Sequence, residues 1–108
     1  MENPFGKFKV QTKKVKIKAL DNADVTIQEL SVAQSTDFYK RIVKGFDKNG
    51  KAELNYNELA DIKIEKVAAS MIEPYMPLEE LKGLSSSANK AINEISEAID
   101  NFEAELKK

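Results

Sequence analysis

The stretch that decides the fold is KKVKIKALDNADVTIQELSVAQSTDFYKRIV, residues 13–43, where an alternating pattern passes without a linker into a helical one. Val15 and Ile17 alternate with lysines, Asp21 to Asp24 supply turn residues, and Val25, Ile27 and Leu30 resume the alternation. That period of two is the pattern of a half-buried antiparallel hairpin. Ser31 then opens a helix. Its hydroxyl can accept a free backbone N–H of the first turn, while Gln34, three residues on, can reach back to the Ser31 N–H, which makes S-V-A-Q a capping box.

Working toward the N-terminal side, residues 1–12 carry Phe5, Phe8 and Val10 between lysines, with Pro4 and Gly6, and read as a basic arm or an edge strand. Lysines along a strand edge discourage pairing with foreign strands, so Lys13, Lys14, Lys16 and Lys18 have a structural reading that needs no ligand. In the other direction, the first helix is expected over Val32 to Lys44, with Phe38, Tyr39, Ile42, Val43 and then Phe46 on one side and Gly45 as its stop. The segment FDKNGKAELNYNEL follows as a turn-rich connection. A second helix is expected over Asn57 to Ile72, with Ala60, Ile64, Val67, Ala68 and Met71 as its apolar stripe. Glu73 before Pro74 disfavours its continuation. Pro77 then starts a short third helix that Gly83 ends, and Ser85, Ser86 or Ser87 caps the last one.

That last helix, residues 88–106, has the cleanest periodicity in the chain. Ala88, Ile92, Ile95, Ile99, Phe102 and Leu106 recur at the alternating spacing of an a/d seam. The seam is short of a sustained coiled coil, and two readings stand: a face docked on its own domain, or a surface lent to a partner helix. Together these elements define one α+β domain over residues 13–108, a small N-terminal antiparallel hairpin or sheet with about four helices packed on it.

Composition removes most enzyme chemistries. The 108 residues contain neither cysteine nor histidine, which takes away thiolate nucleophiles, the commonest zinc ligands and the usual proton shuttle near neutral pH. No glycine-rich phosphate cradle is present, and Glu79, Glu80, Glu103 and Glu105 fall where solvated helix faces put them. With 17 basic and 18 acidic side chains, the net charge of -1 draws the chain neither to nucleic acid nor to a membrane. The charge is polarised, though. Residues 1–18 hold six lysines against Glu2, while residues 73–108 hold eight acids against four lysines. No apolar run is long enough to span a bilayer, and MENPFGKFKV lacks the apolar core of a signal peptide.

One motif imitates a metal site. From Asp47, DKNGKAELNYNEL aligns with an EF-hand calcium loop through Asp47, Asn49, Leu54, Asn55 and Glu58. The centre fails, because Lys51 places an ammonium where an oxygen ligand belongs and Ala52 replaces the glycine of the sharp turn. The alternative is a turn with Gly50 at positive φ and Asn55 or Asn57 capping the next helix. No metal or cofactor is expected.

Laid out this way, the chain resembles the tail assembly chaperones of long-tailed bacteriophages and prophages. The likeness spans roughly residues 13–102 and is one of layout: VKIKAL, VTIQEL, Ser31 with VAQSTDFYKRIV, then AASMIEPYMPLEELKGLSSSANKAINEISEAI. The Asp47 to Glu58 connection departs from it. The resemblance implies a non-enzymatic protein of the bacterial host cytoplasm that coats the long, helical, apolar tape measure protein and keeps it soluble. Tail tube protein then displaces it, and self-association is also implied. In this family a longer frameshifted product often supplies part of the contact. The expected contact residues are Ile92, Ile95, Ile99 and Phe102 if the last helix is lent out, and Lys13, Lys14 and Lys16 for electrostatics. The rival readings are a structural tail component of the virion and a calcium-responsive regulator built on Asp47 to Glu58.

Overall fold

The computed structural model describes residues 3–107, and in it the opening stretch folds as its pattern dictates. Strands β1 (Thr12–Ile17) and β2 (Ala23–Gln28) pair antiparallel with Val15 opposite Val25 and Ile17 opposite Ala23. Their link is a 3-10 turn over Lys18–Leu20 followed by Asp21 and Asn22 at φ 55° and 63°. Asp and Asn are the non-glycine residues that enter this left-handed region most readily. Helix α1 (Val32–Ile42) begins with the expected reciprocal cap. Ser31 Oγ accepts the Gln34 N–H at 3.1 Å, and Gln34 Oε1 accepts the Ser31 N–H at 3.0 Å.

Two expected helices end earlier than their periodicity suggests, and in each case a strand takes over. α1 stops at Ile42 rather than Lys44, and Val43–Phe46 becomes β3, paired antiparallel with β4 (Ala52–Leu54). β-branched Val43 and Gly45 are weak helix formers, and the turn residues that follow offer β3 a partner strand. Phe46 therefore leaves the helical stripe. The turn-rich connection is a hairpin tip, in which Asp47 Oδ1 accepts the N–H groups of Asn49 and Lys51 at 2.8 and 2.9 Å while Gly50 sits at φ 80°. Helix α2 (Leu59–Ser70) starts after Glu58 with no side-chain cap, so neither Asn55 nor Asn57 plays the role expected of it. It gives way to β5 (Met71–Glu73), which adds to β2 to complete a sheet of order β1-β2-β5. Pro74 bars helix at the residue before it, and the open edge of β2 supplies hydrogen bonds instead.

Helix α3 (Leu78–Lys82) lies between Pro77 and Gly83 as expected, and α4 (Asn89–Leu106) follows a 3-10 turn over Ser86–Ala88. None of the three serines caps it. Ser85 and Ser87 instead bond each other, Oγ to Oγ, at 2.7 Å. The basic arm expected over residues 1–12 forms a 3-10 turn at Pro4–Phe8, and the strand begins only at Thr12. Residues 1 and 2 lie outside the described part.

Among the described residues the architecture is α+β, with four α-helices and antiparallel sheets. Its core gathers Ile17, Val25 and Ile27 from the sheet, Val67 and Met71 from the α2–β5 turn, Leu81 from α3, and Ile92, Ile95, Ile99 and Phe102 from α4. By contrast, no side chain from Gln28 through Asp61 is buried. The molecule is a slab of 46 × 45 × 23 Å. Its radius of gyration of 15.6 Å exceeds the roughly 13 Å of a compact domain this long, as an outlying α1 and hairpin require.

Candidate functional site

The a/d seam of α4 is the floor of the core. Ile95 and Ile99 are 3% and 0% exposed, Ile92 and Phe102 are buried beside them, and only Leu106 emerges at the end. Facing the sheet satisfies the same periodicity that a partner helix would, which is why spacing alone leaves both readings open. As folded, these four side chains hold the domain together, and none is more than 7% exposed.

The lysines divide by strand face. Lys13 shares the inward row of β1 with Val15 and Ile17, so its stem runs over the core while its ammonium reaches outward. It lies 5.8 Å above the Phe102 ring and 3.1 Å from both Glu105 carboxylate oxygens, tying β1 to the last turn of α4. Lys16, on the outward row, meets Asp24 across the hairpin at 3.1 Å. Lys14 is exposed on the same row and makes no ion pair among the described residues. Since β1 is a sheet edge, this outward row stands where positive charge repels foreign strands.

Two acidic residues have roles that composition does not disclose. Glu94 accepts the backbone N–H groups of Lys18 and Ala19 at 2.6 and 3.0 Å, so α4 caps the hairpin turn with its own carboxylate. Glu65 Oε2 accepts from Arg41 Nη2 at 2.5 Å, and Arg41 Nε lies 3.7 Å from Glu58. This clasp fastens α1 to α2. The Arg41 hydrogen bond is the main reason that the Glu65 carboxyl is held below its ordinary value of 4.5. Neither pairing has a local signal, because the partners lie far apart in sequence.

Two of the EF-hand-like positions are engaged within the chain through their side chains. Asp47 closes the hairpin tip, Glu58 faces Arg41, strand β4 lies within the segment, and the flanking elements are β3 and α2 rather than two helices. No group of three or more acidic side chains is clustered for a metal among the described residues.

Several large apolar side chains nevertheless face outward. Val32 is 85% exposed and Tyr39, one heptad on, shares its side of α1, while the hairpin and its exit present Phe46 and Tyr56. A second exposed group is the arm, with Phe5 and Phe8. A third is a half-open apolar groove of about 280 Å³ between the first half of α4, α3 and the β1–β2 turn. Among the described residues no helix is long and apolar enough to cross a membrane. No family model, curated protein or solved structure matches the chain.

Proposed function

We propose that this protein is a tail assembly chaperone of a long-tailed phage or prophage, a non-enzymatic binder that keeps a tape measure protein soluble in the cytoplasm of the bacterial host. The layout of residues 13–102 suggests the family. The observation that carries the reading is the long stretch from Gln28 to Asp61, which buries no side chain yet displays Val32, Tyr39, Phe46 and Tyr56. Exposed aromatic and aliphatic side chains on an outlying helix and hairpin are the chemistry that receives the apolar face of another helix. With the α4 seam occupied by its own core, this region takes over the role of the contact surface. The outward lysines Lys14 and Lys16 then serve as long-range attraction for acidic stretches of the partner.

The test is co-expression with a candidate tape measure protein, followed by pull-down and size-exclusion light scattering. Wild type is expected to recover the partner in the soluble fraction. Tyr39→Asp combined with Phe46→Asp is expected to lose it while its thermal unfolding stays unchanged. A folded wild type that neither binds nor solubilises the partner refutes the reading.

A further inference from the structure

The hairpin tip that imitates a metal loop carries a different chemistry, one that the binding reading does not use. Asn49 is followed by Gly50, and none of the other asparagines precedes a glycine. In such a pair, attack of the following backbone nitrogen on the side-chain amide carbon closes a five-membered ring. A side chain on the following residue shields that nitrogen, and glycine has none. This reaction is one reason that asparagine counts among the thermolabile residues.

The fold leaves the pair open. Every side chain from Phe46 to Glu53 is exposed, and no heavy atom beyond its chain neighbours lies within 4 Å of where a Gly50 Cβ would stand. The Asn49 side chain makes no hydrogen bond among the described residues; only its backbone N–H is engaged. Exposed Lys48 and Lys51 flank the pair, and positive charge favours the deprotonated nitrogen that attacks. The remaining asparagines are worse placed. Pro4 has no N–H to lose after Asn3, while Ala23, Tyr56 and Glu58 put a side chain beside the nitrogen after Asn22, Asn55 and Asn57. Asn89, Asn93 and Asn101 lie in α4, where regular helix geometry fixes the backbone.

A small cluster of bonds holds the tip against the reaction. Gly50 donates its N–H to the Asp47 carbonyl at 3.0 Å, which ties down the attacking nitrogen. Asp47 Oδ1 accepts the N–H groups of Asn49 and Lys51, and the Asp47 N–H is donated to the Lys51 carbonyl at 2.9 Å. The nitrogen is freed only when this cluster opens, and exposed loop tips open at low cost.

We propose that Asn49 is a site of spontaneous deamidation gated by Asp47. Solvent base removes the Gly50 amide proton and the nitrogen bonds to Cγ of Asn49. The Cγ–Nδ2 bond breaks as Nδ2 takes up a proton and leaves as ammonia. Water then opens the cyclic imide, at Cγ to give aspartate or at the main-chain carbonyl to give isoaspartate. One water is consumed for each ammonia released, with no oxidant or metal. Either product adds one negative charge beside Asp47, taking the net charge from -1 to -2. Isoaspartate also lengthens the main chain by a methylene inside the turn that joins Asp47 to Lys51, so it loosens the β3–β4 hairpin next to exposed Phe46. The hairpin therefore changes with the age of the chain.

Incubation of the whole protein in mildly alkaline buffer, with peptide mapping by mass spectrometry over time, tests this. Asn49 is expected to convert from amide to acid at least about tenfold faster than any other asparagine, with isoaspartate among its products. Asp47→Ala removes the two side-chain bonds that close the tip and is expected to speed the conversion about fivefold, with wild-type thermal unfolding. If Asn49 converts no faster than the other asparagines, or yields aspartate without isoaspartate, the site is refuted. An Asp47→Ala rate equal to that of wild type refutes the gate. None of these readouts involves a binding partner, so they stand apart from the chaperone test.

Discussion

The sheet with α2, α3 and α4 and the outlying α1 with its hairpin use similar residues to opposite ends. In the first region an alternating strand row and a heptad-like seam face each other, and their apolar side chains vanish into one core. In the second, an equally amphipathic helix and a pair of short strands bury nothing completely and are held by a reciprocal cap, a hairpin tip and the Arg41–Glu65 clasp. Burial of apolar surface stabilises by about 25 cal/mol per Å², whereas caps and partly exposed ion pairs contribute about 1 kcal/mol or less each. A region fastened by the weaker kind of contact opens locally before the rest unfolds. Low local stability and exposed apolar surface together suit a segment that remodels around a partner.

The largest effect expected from this contrast is at Ile99, which is fully buried. Ile99→Ala should cost about 2–5 kcal/mol, a large share of a typical 5–15 kcal/mol, whereas Phe46→Ala should stay within about 0.5 kcal/mol. Urea unfolding of both variants measures the difference, and equal losses would mean that the outlying region is part of the core after all.

Ser31→Ala comes next. Loss of the capping box should weaken α1 by about 1 kcal/mol. Hydrogen exchange should show faster exchange of α1 amides while α4 amides keep their protection. A parallel rise in α4 would show that the two regions unfold as one unit and would dissolve the distinction.

The smallest effect is in acid. Glu65 titrates below its ordinary 4.5 in the folded chain, so its stabilisation is present above that value and fades as the pH falls through the lower folded value. NMR contacts between α1 and α2 should therefore loosen on acidification below about pH 4.5 before the core does. In Glu65→Gln they should be weaker at neutral pH and lose that acid dependence. Contacts that persist unchanged in wild type would remove the clasp as a hinge.

Much of this was written locally. The β1–β2 register follows from Val15, Ile17, Val25 and Ile27, the start of α1 from Ser31 and Gln34, the limits of α3 from Pro77 and Gly83, and the extent of α4 from its isoleucines. Where the reading failed, a strand had displaced a helix end: Val43–Phe46 and Met71–Glu73 satisfy helical periodicity over their few residues, and only a neighbouring strand edge turns them into β3 and β5. The contact surface was the least legible part. Ile92, Ile95, Ile99 and Phe102 announce an apolar seam, and nothing in their spacing says whether the chain itself fills it.

The sequence by itself determined the α+β class, the hairpin, the helix starts marked by Ser31 and Pro77, and the absence of cysteine and histidine chemistry. Each depends on residues within a turn or two of one another, where sterics, capping and side-chain identity act directly. Tertiary structure alone decided that the α4 seam closes on its own sheet, that Lys13 spans to Glu105 and Glu94 caps a distant turn, and that α1 with the β3–β4 hairpin stays outside the core. Those outcomes depend on which apolar surfaces meet and which remain in water, and that is settled by packing across the whole chain rather than by any local pattern.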